Sequence, residues 1–217
     1  MPASGVPQVG QRIREERLKR GLSLRALARA VGVSASLVSQ IETGKSQPSV
    51  STLYAITSAL GTSVQDVFEA AAGSATELDT TLVAHAVGET GPPTTVLQAL
   101  SALPTGRLGP VVHEDERQVL RLDSGVTWER LGRLPPHNVD FLLVTYAPGG
   151  SSSSTGALMR HAGSEYGVML RGELVLTLAF EELTLRAGDS ISFESSTPHR
   201  YRNDGSEEAV GVWFVSG

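Results

Sequence analysis

From residue 10 to residue 69 the apolar positions recur every three or four residues, the period of a helix face; after Val111 they alternate, the period of a strand. Ile13 and Leu18 mark a first short helix, with Gly21 just past its basic end. Ser23 stands where a helix cap would accept backbone N–H groups, ahead of Leu24, Leu27, Ala28 and Val31. Gly32 breaks that run, and Ser34 repeats the cap ahead of Leu37, Val38 and Ile41. "GKSQPS" is a loop, after which Leu53, Ile56 and Leu60 predict a fourth helix ending at Gly61, and Val64 and Val67 a fifth.

Between residues 70 and 110 the periodicity dissolves into Ala, Gly, Thr and Pro, which reads as a linker that leaves the helical head free to swing. Beyond it, "RQVLRL", "VTWERL", "DFLLVTY", the hairpin "YGVMLRGELVLTLAF" and "ISFESSTPHRYRN" predict short strands separated by turns. Strands at this spacing predict a small barrel or sandwich. The expected organisation is therefore multidomain: an α domain at 1–69, a linker at 70–110 and an all-β domain at 111–217.

Composition narrows the function classes. With 40% hydrophobic and 19% charged residues the chain has the profile of a globular protein, and without cysteine it holds neither disulfides nor thiolate-bound metals. The N-terminal stretch lacks the apolar core of a signal peptide, so a cytoplasmic location is expected. The net charge of −5 divides unevenly: residues 1–70 hold 8 Lys+Arg against 5 Asp+Glu (+3), residues 71–217 hold 10 against 18 (−8). A basic head on an acidic body points the head toward a polyanion.

The spacing Ala28-x₃-Gly32-x₅-Val38, with Ile41 behind it, suits a helix-turn-helix: a small residue for close approach, a glycine for the left-handed turn, and apolar residues that set the roll of the second helix. The run "LSLRALARAVGVSASLVSQIETGKSQPSVSTLYAITSALG" resembles the phage-repressor-like (XRE) DNA-binding family. The resemblance implies a third helix lying in the major groove of duplex DNA, presenting Ser34, Ala35, Ser36, Ser39 and Gln40. It also implies phosphate contacts from Ser23, Arg25 and Lys45.

The strand domain resembles the cupin family, a double-stranded β-helix barrel, over Met159 to Gly172 and Gly188 to Asn203. In the family's first motif two histidines one residue apart precede a glutamate and a glycine; here those positions hold Met159, His161, Glu165 and Gly172. In the second motif, Gly188, Pro198, His199 and Asn203 match. The resemblance implies a metal set of His161, Glu165 and His199, able to hold zinc, nickel, iron or manganese. Met159, a poor ligand for these ions, is expected to pack in the barrel. Alternation along the strands is read as turning Val168, Leu170, Phe193, Tyr201 and Trp213 inward as a ligand pocket with Met159. Trp128 and Arg130 are candidates to close its mouth. His85, His113 and His137 fall in the linker or in polar turns and receive no role.

The pair of domains resembles a group of bacterial regulators, which implies a homodimer that binds a DNA operator and senses a small-molecule effector or metal ion, without catalysis. The alternative is a non-heme iron epoxidase acting on a hydroxypropylphosphonate, which the chain resembles in domain order and in the run His161-Ala162-Gly163-x-Glu165. A head fixed over the barrel mouth would favour that second reading.

Overall fold

The computed structural model describes residues 9–69, 111–132 and 139–216, so the expected linker, His85 and His137 lie outside the described residues. Five helices come first: α1 (Val9–Lys19), α2 (Leu24–Val31), α3 (Ala35–Glu42), α4 (Val50–Leu60) and α5 (Val64–Glu69). Their starts follow from side-chain caps. Ser23 Oγ accepts from the Ala26 N–H, Ser34 Oγ from that of Leu37, and Ser49 Oγ from that of Thr52, each at 3.1–3.2 Å. Each such bond satisfies a donor that the helix itself leaves free and is worth about 1 kcal/mol. Gly32 ends α2 at φ +77°, a conformation that costs any other residue, and turns the chain into α3. Leu27, Val38, Leu53 and Ile56 meet in a fully buried core. At its edge the Arg17 guanidinium donates to both carboxylate oxygens of Glu42, at 2.6 and 2.8 Å, tying α1 to α3.

Among the described residues nine strands follow: β1 (Val119–Leu122), β2 (Val126–Gly132), β3 (Val139–Tyr146), β4 (Ser164–Arg171), β5 (Glu173–Leu178), β6 (Glu181–Arg186), β7 (Ser190–Glu194), β8 (His199–Arg202) and β9 (Ala209–Ser216). All pair antiparallel, in a sheet ordered β1-β2-β3-β9-β4-β7 and a second ordered β6-β5-β8. The expected α plus all-β class holds. Inward side chains alternate cleanly along β3 (Asp140, Leu142, Val144, Tyr146) and β9 (Ala209, Gly211, Trp213, Val215). Trp213 occupies the barrel interior because Gly167 beside it has no side chain; a Cβ there would come within 2.7 Å of the indole.

The helical domain is not held away from the strands. The start of α4 rests on the barrel: the Ser51 N–H donates to the Ser152 carbonyl at 2.9 Å, and the Asp123 N–H to the Pro48 carbonyl at 2.9 Å. One turn further on, the Tyr54 ring meets Trp128 edge-on, with centroids 6.0 Å apart. The expectation of a freely swinging head is corrected accordingly, because backbone hydrogen bonds and aromatic packing dock it.

Candidate functional site

Two segments bring the charged side chains of the barrel together. Residues 159–161 run beside the approach to β8: Met159 and His199 exchange backbone hydrogen bonds at 2.9 Å, and the His161 N–H donates to the Ser195 carbonyl at 3.1 Å. Glu165 lies inside β4, opposite Phe193 of β7. Ligand atoms of His161, Glu165 and His199 consequently lie within 4.8 Å of one another, and the carboxylate and the His199 ring are buried.

The partners of the two rings define what this cluster can hold. His161 Nδ1 lies 3.0 Å from the Ala162 carbonyl and His199 Nδ1 lies 2.8 Å from the Thr197 carbonyl. A carbonyl only accepts, so each Nδ1 carries a proton and each ring turns its Nε2 the other way. Both Nε2 atoms face one atom: His161 Nε2 is 2.9 Å, and His199 Nε2 3.0 Å, from Glu165 Oε1. His199 Nε2 makes no hydrogen bond. Three electron-rich atoms converging in a buried place repel unless a cation sits among them, either a proton or a metal ion. The donor set, two imidazoles and one carboxylate oxygen, fits a first-row divalent ion.

The other carboxylate oxygen is already engaged. Glu165 Oε2 accepts from the Tyr201 hydroxyl at 2.9 Å, and Tyr201 in turn accepts from the Trp213 indole N–H at 3.2 Å. Glu165 thus offers a single oxygen to the cluster, its orientation fixed by a buried relay. Burial pushes this carboxyl up, but hydrogen bonds donated by the two rings, and the positive charge they carry when protonated, outweigh burial and hold it at about 2.

Against Glu165 lies a cavity of about 20 Å³, room for roughly one water. Its walls include Met159, Tyr201 and Trp213, with Trp128, Leu142, Val144, Tyr146 and Val215. Phe193 packs edge-on against the His199 ring, with centroids 5.1 Å apart. Val168 and Leu170 do not belong to this pocket and are corrected: they lie on the outer face, 38% and 54% exposed. The reason is phase. Glu165 points inward, so the two-residue period of β4 sends Gly167 and Met169 inward and turns Val168 and Leu170 out.

Two wall residues come from the other domain, Val50 and Tyr54 of α4. The Tyr54 ring lies flat on His161, with centroids 4.0 Å apart and planes 2° from parallel. Burial, together with the negative charges of Asp140 and Glu165, holds its phenol well above the ordinary range, so it stays neutral. Strand alternation carries no information about a ring supplied by a helix, so only the fold could place it. Asp140 is a second residue that sequence reasoning missed. Burial raises its carboxyl to about 6 against the lowering influence of Arg130 and His161.

On the helical domain, Ser34, Ser36, Gln40, Arg25, Lys45 and Ser23 are exposed, whereas Ala35 and Ser39 are half-buried. Ser23 and Ser34 already use their hydroxyls as acceptors for helix caps. The exposed surface of α3 is thus formed chiefly by Ser36 and Gln40, with Lys45 beyond its C-terminal end, and the docked strands leave it open.

Comparison with known proteins agrees with both halves. Residues 13–67 match the helix-turn-helix family and residues 142–215 the cupin domain family. The HTH-type transcriptional regulator PuuR of Escherichia coli (strain K12) is 26% identical over 196 residues, covering 89% of this chain and 86% of that protein. The HTH-type transcriptional regulator SutR of the same organism is 26% identical over 195 residues, covering 90% and 86%. A solved structure of an HTH_3 family transcriptional regulator from Vibrio cholerae shares the fold, with a TM-score of 0.60 at 22% identity, covering 97% of this chain and 96% of that one.

Proposed function

We propose that this chain, a helix-turn-helix transcription regulator with a cupin domain, binds a DNA operator as a homodimer and takes a divalent metal ion, beside a small-molecule effector, in its barrel. The observation that carries the sensing half is the convergence of His161 Nε2 and His199 Nε2 on Glu165 Oε1. His161, Glu165 and His199 would hold the ion, which would supply a Lewis-acidic anchor for an effector atom. Tyr201 keeps the carboxylate turned toward it, and Trp213 keeps Tyr201 in place.

On the DNA side, Gln40 and Ser36 are the side chains free to meet base edges, while Arg25 and Lys45 suit phosphates. Ser23 and Ser34, exposed residues, position the helices as caps, and the half-buried Ala35 and Ser39 lie at the start and middle of α3 beside them. A dimer places two such helices on half-sites about 34 Å apart. An apolar face on the outside of the larger sheet, with Tyr166, Val168, Leu170 and Phe214 exposed, supports pairing there. Among the described residues no helix is long and apolar enough to cross a membrane.

One observation favours a second reading. The head sits over the barrel mouth, with Tyr54 on His161, as a domain completing a non-heme iron active site would. We assign the chain no catalysis, because its full-length relatives are transcriptional regulators and its α3 surface stays open. Metal content of untagged protein purified without chelator tests the sensing half, with the His161→Ala/His199→Ala double variant as control. Near-stoichiometric metal lost in the control is expected; equal content in both overturns it. Substrate-free oxygen uptake after iron(II) loading, suppressed by Glu165→Gln, would instead favour the enzyme.

A further inference from the structure

The cavity is too small for an effector of ordinary size, and one part of its wall, the α4 side, is not part of the barrel. Effectors of ordinary size occupy several hundred Å³, whereas about 20 Å³ is free here. The strands on the other sides are held by ladders, unbroken between β3 and β9 and with one register shift, at Met169/Arg171, between β4 and β9. The α4 side is held by the Ser51–Ser152 and Asp123–Pro48 backbone bonds, by the stacking of Tyr54 on His161 and by its edge-on contact with Trp128.

We propose that Tyr54 is a gate shared by the two domains: a ligand larger than one water enters the barrel only as the Tyr54 ring leaves His161, so that occupancy of the site and docking of the helical domain exclude one another. The inference rests on the reading of the barrel as a ligand site. Tyr54 thereby acts as a specificity-determining residue for a domain to which it does not belong, because the volume it vacates sets the size of ligand admitted. Its release also reaches α3. In the docked state Ser36, Gln40 and Lys45 are exposed while the direction of the helical domain is fixed against the barrel. Freeing α4 frees that direction, which a dimer needs to span two half-sites. Coupling of this kind is reciprocal: DNA that prefers the docked direction opposes ligand entry by the same factor.

The test uses the full chain, whose lack of cysteine lets spin labels be placed at will. Labels at Ser58→Cys on α4 and Thr184→Cys on β6, both exposed, report the distance between the domains. Zinc content is measured first, then imidazole, a ring larger than one water that coordinates zinc, is titrated into the zinc-loaded protein. Tyr54→Phe, which keeps the ring, and Tyr54→Ala, which removes it, are compared with the parent. The expected result is one narrow distance in the parent and in Tyr54→Phe, broadened by imidazole. In Tyr54→Ala the distance is broad from the start and imidazole binds at least tenfold tighter, with zinc affinity changed less than threefold. Imidazole binding that leaves the parent's narrow distance intact, or that is no tighter in Tyr54→Ala, overturns the gate. Failure to bind zinc sinks the metal reading instead, and the gate then stands or falls on the label distances alone: a distribution unchanged by Tyr54→Ala overturns it.

Discussion

Glu165 divides its two oxygens between two tasks, one facing the imidazoles and one accepting from Tyr201. Removing only the Tyr201 hydroxyl should therefore loosen the carboxylate without emptying the site. Tyr201→Phe is expected to weaken zinc binding by about 10–100-fold, the usual cost of losing an outer-shell partner, in a competition titration against a chromophoric chelator. Loss of zinc equal to that of His199→Ala would show that the hydroxyl holds more than orientation. Asp140 gives a pH prediction of opposite sign to most carboxylates. Its folded carboxyl, raised from 3.8 to about 6, binds a proton that the unfolded chain releases, so its charge penalises the fold as pH rises through that window. Asp140→Asn is expected to raise the melting temperature above pH 7 and to lose that advantage below about pH 4; an advantage that grows in acid would contradict the assignment. At this scale the sequence yielded His161, Glu165 and His199, since motif spacing survives in the chain. It misled at Val168 and Leu170, where counting from Glu165 in steps of two would have turned both outward.

Two helix starts were legible because a cap is a local event: Ser23 and Ser34 each bond a backbone group three residues on. Ser34→Ala is expected to cost about 1 kcal/mol of stability, read as a lower urea midpoint, whether or not DNA is present. Gln40→Ala leaves the helix intact and should instead cost about 1–3 kcal/mol of discrimination between operator variants. Lys45→Ala should weaken binding evenly across sequences and lower the salt slope by about one counterion. A Gln40→Ala protein that discriminates as well as the parent would remove Gln40 from the base-reading role. The Arg17–Glu42 pair was not legible. Two charged residues far apart in sequence give no pattern, and only the packing of α1 on α3 makes their pairing necessary. Glu42→Gln, which leaves a buried guanidinium with half its partner, is expected to cost about 3 kcal/mol or more.

For the whole molecule, the exposed strip of Tyr166, Val168, Leu170 and Phe214 sets the expected assembly. Val168→Glu should convert a dimer to a monomer in sedimentation velocity without changing zinc content; a dimer that survives must pair elsewhere. The two domains could be read from the chain because each carries its own period, but their docking could not. Nothing in either period records that Tyr54 of a helix will lie on His161 of a barrel. That contact bears on how such a protein can be recombined. A regulator made of separable modules tolerates exchange, one reading head being swapped for another to give new target genes under the same signal. Under the proposed gate the head carries part of the effector's receptor, so a chimera that keeps this barrel beneath a foreign head lacking the α4 aromatic is expected to answer to different molecules, and changes in what is sensed and in which genes respond would have to arise together.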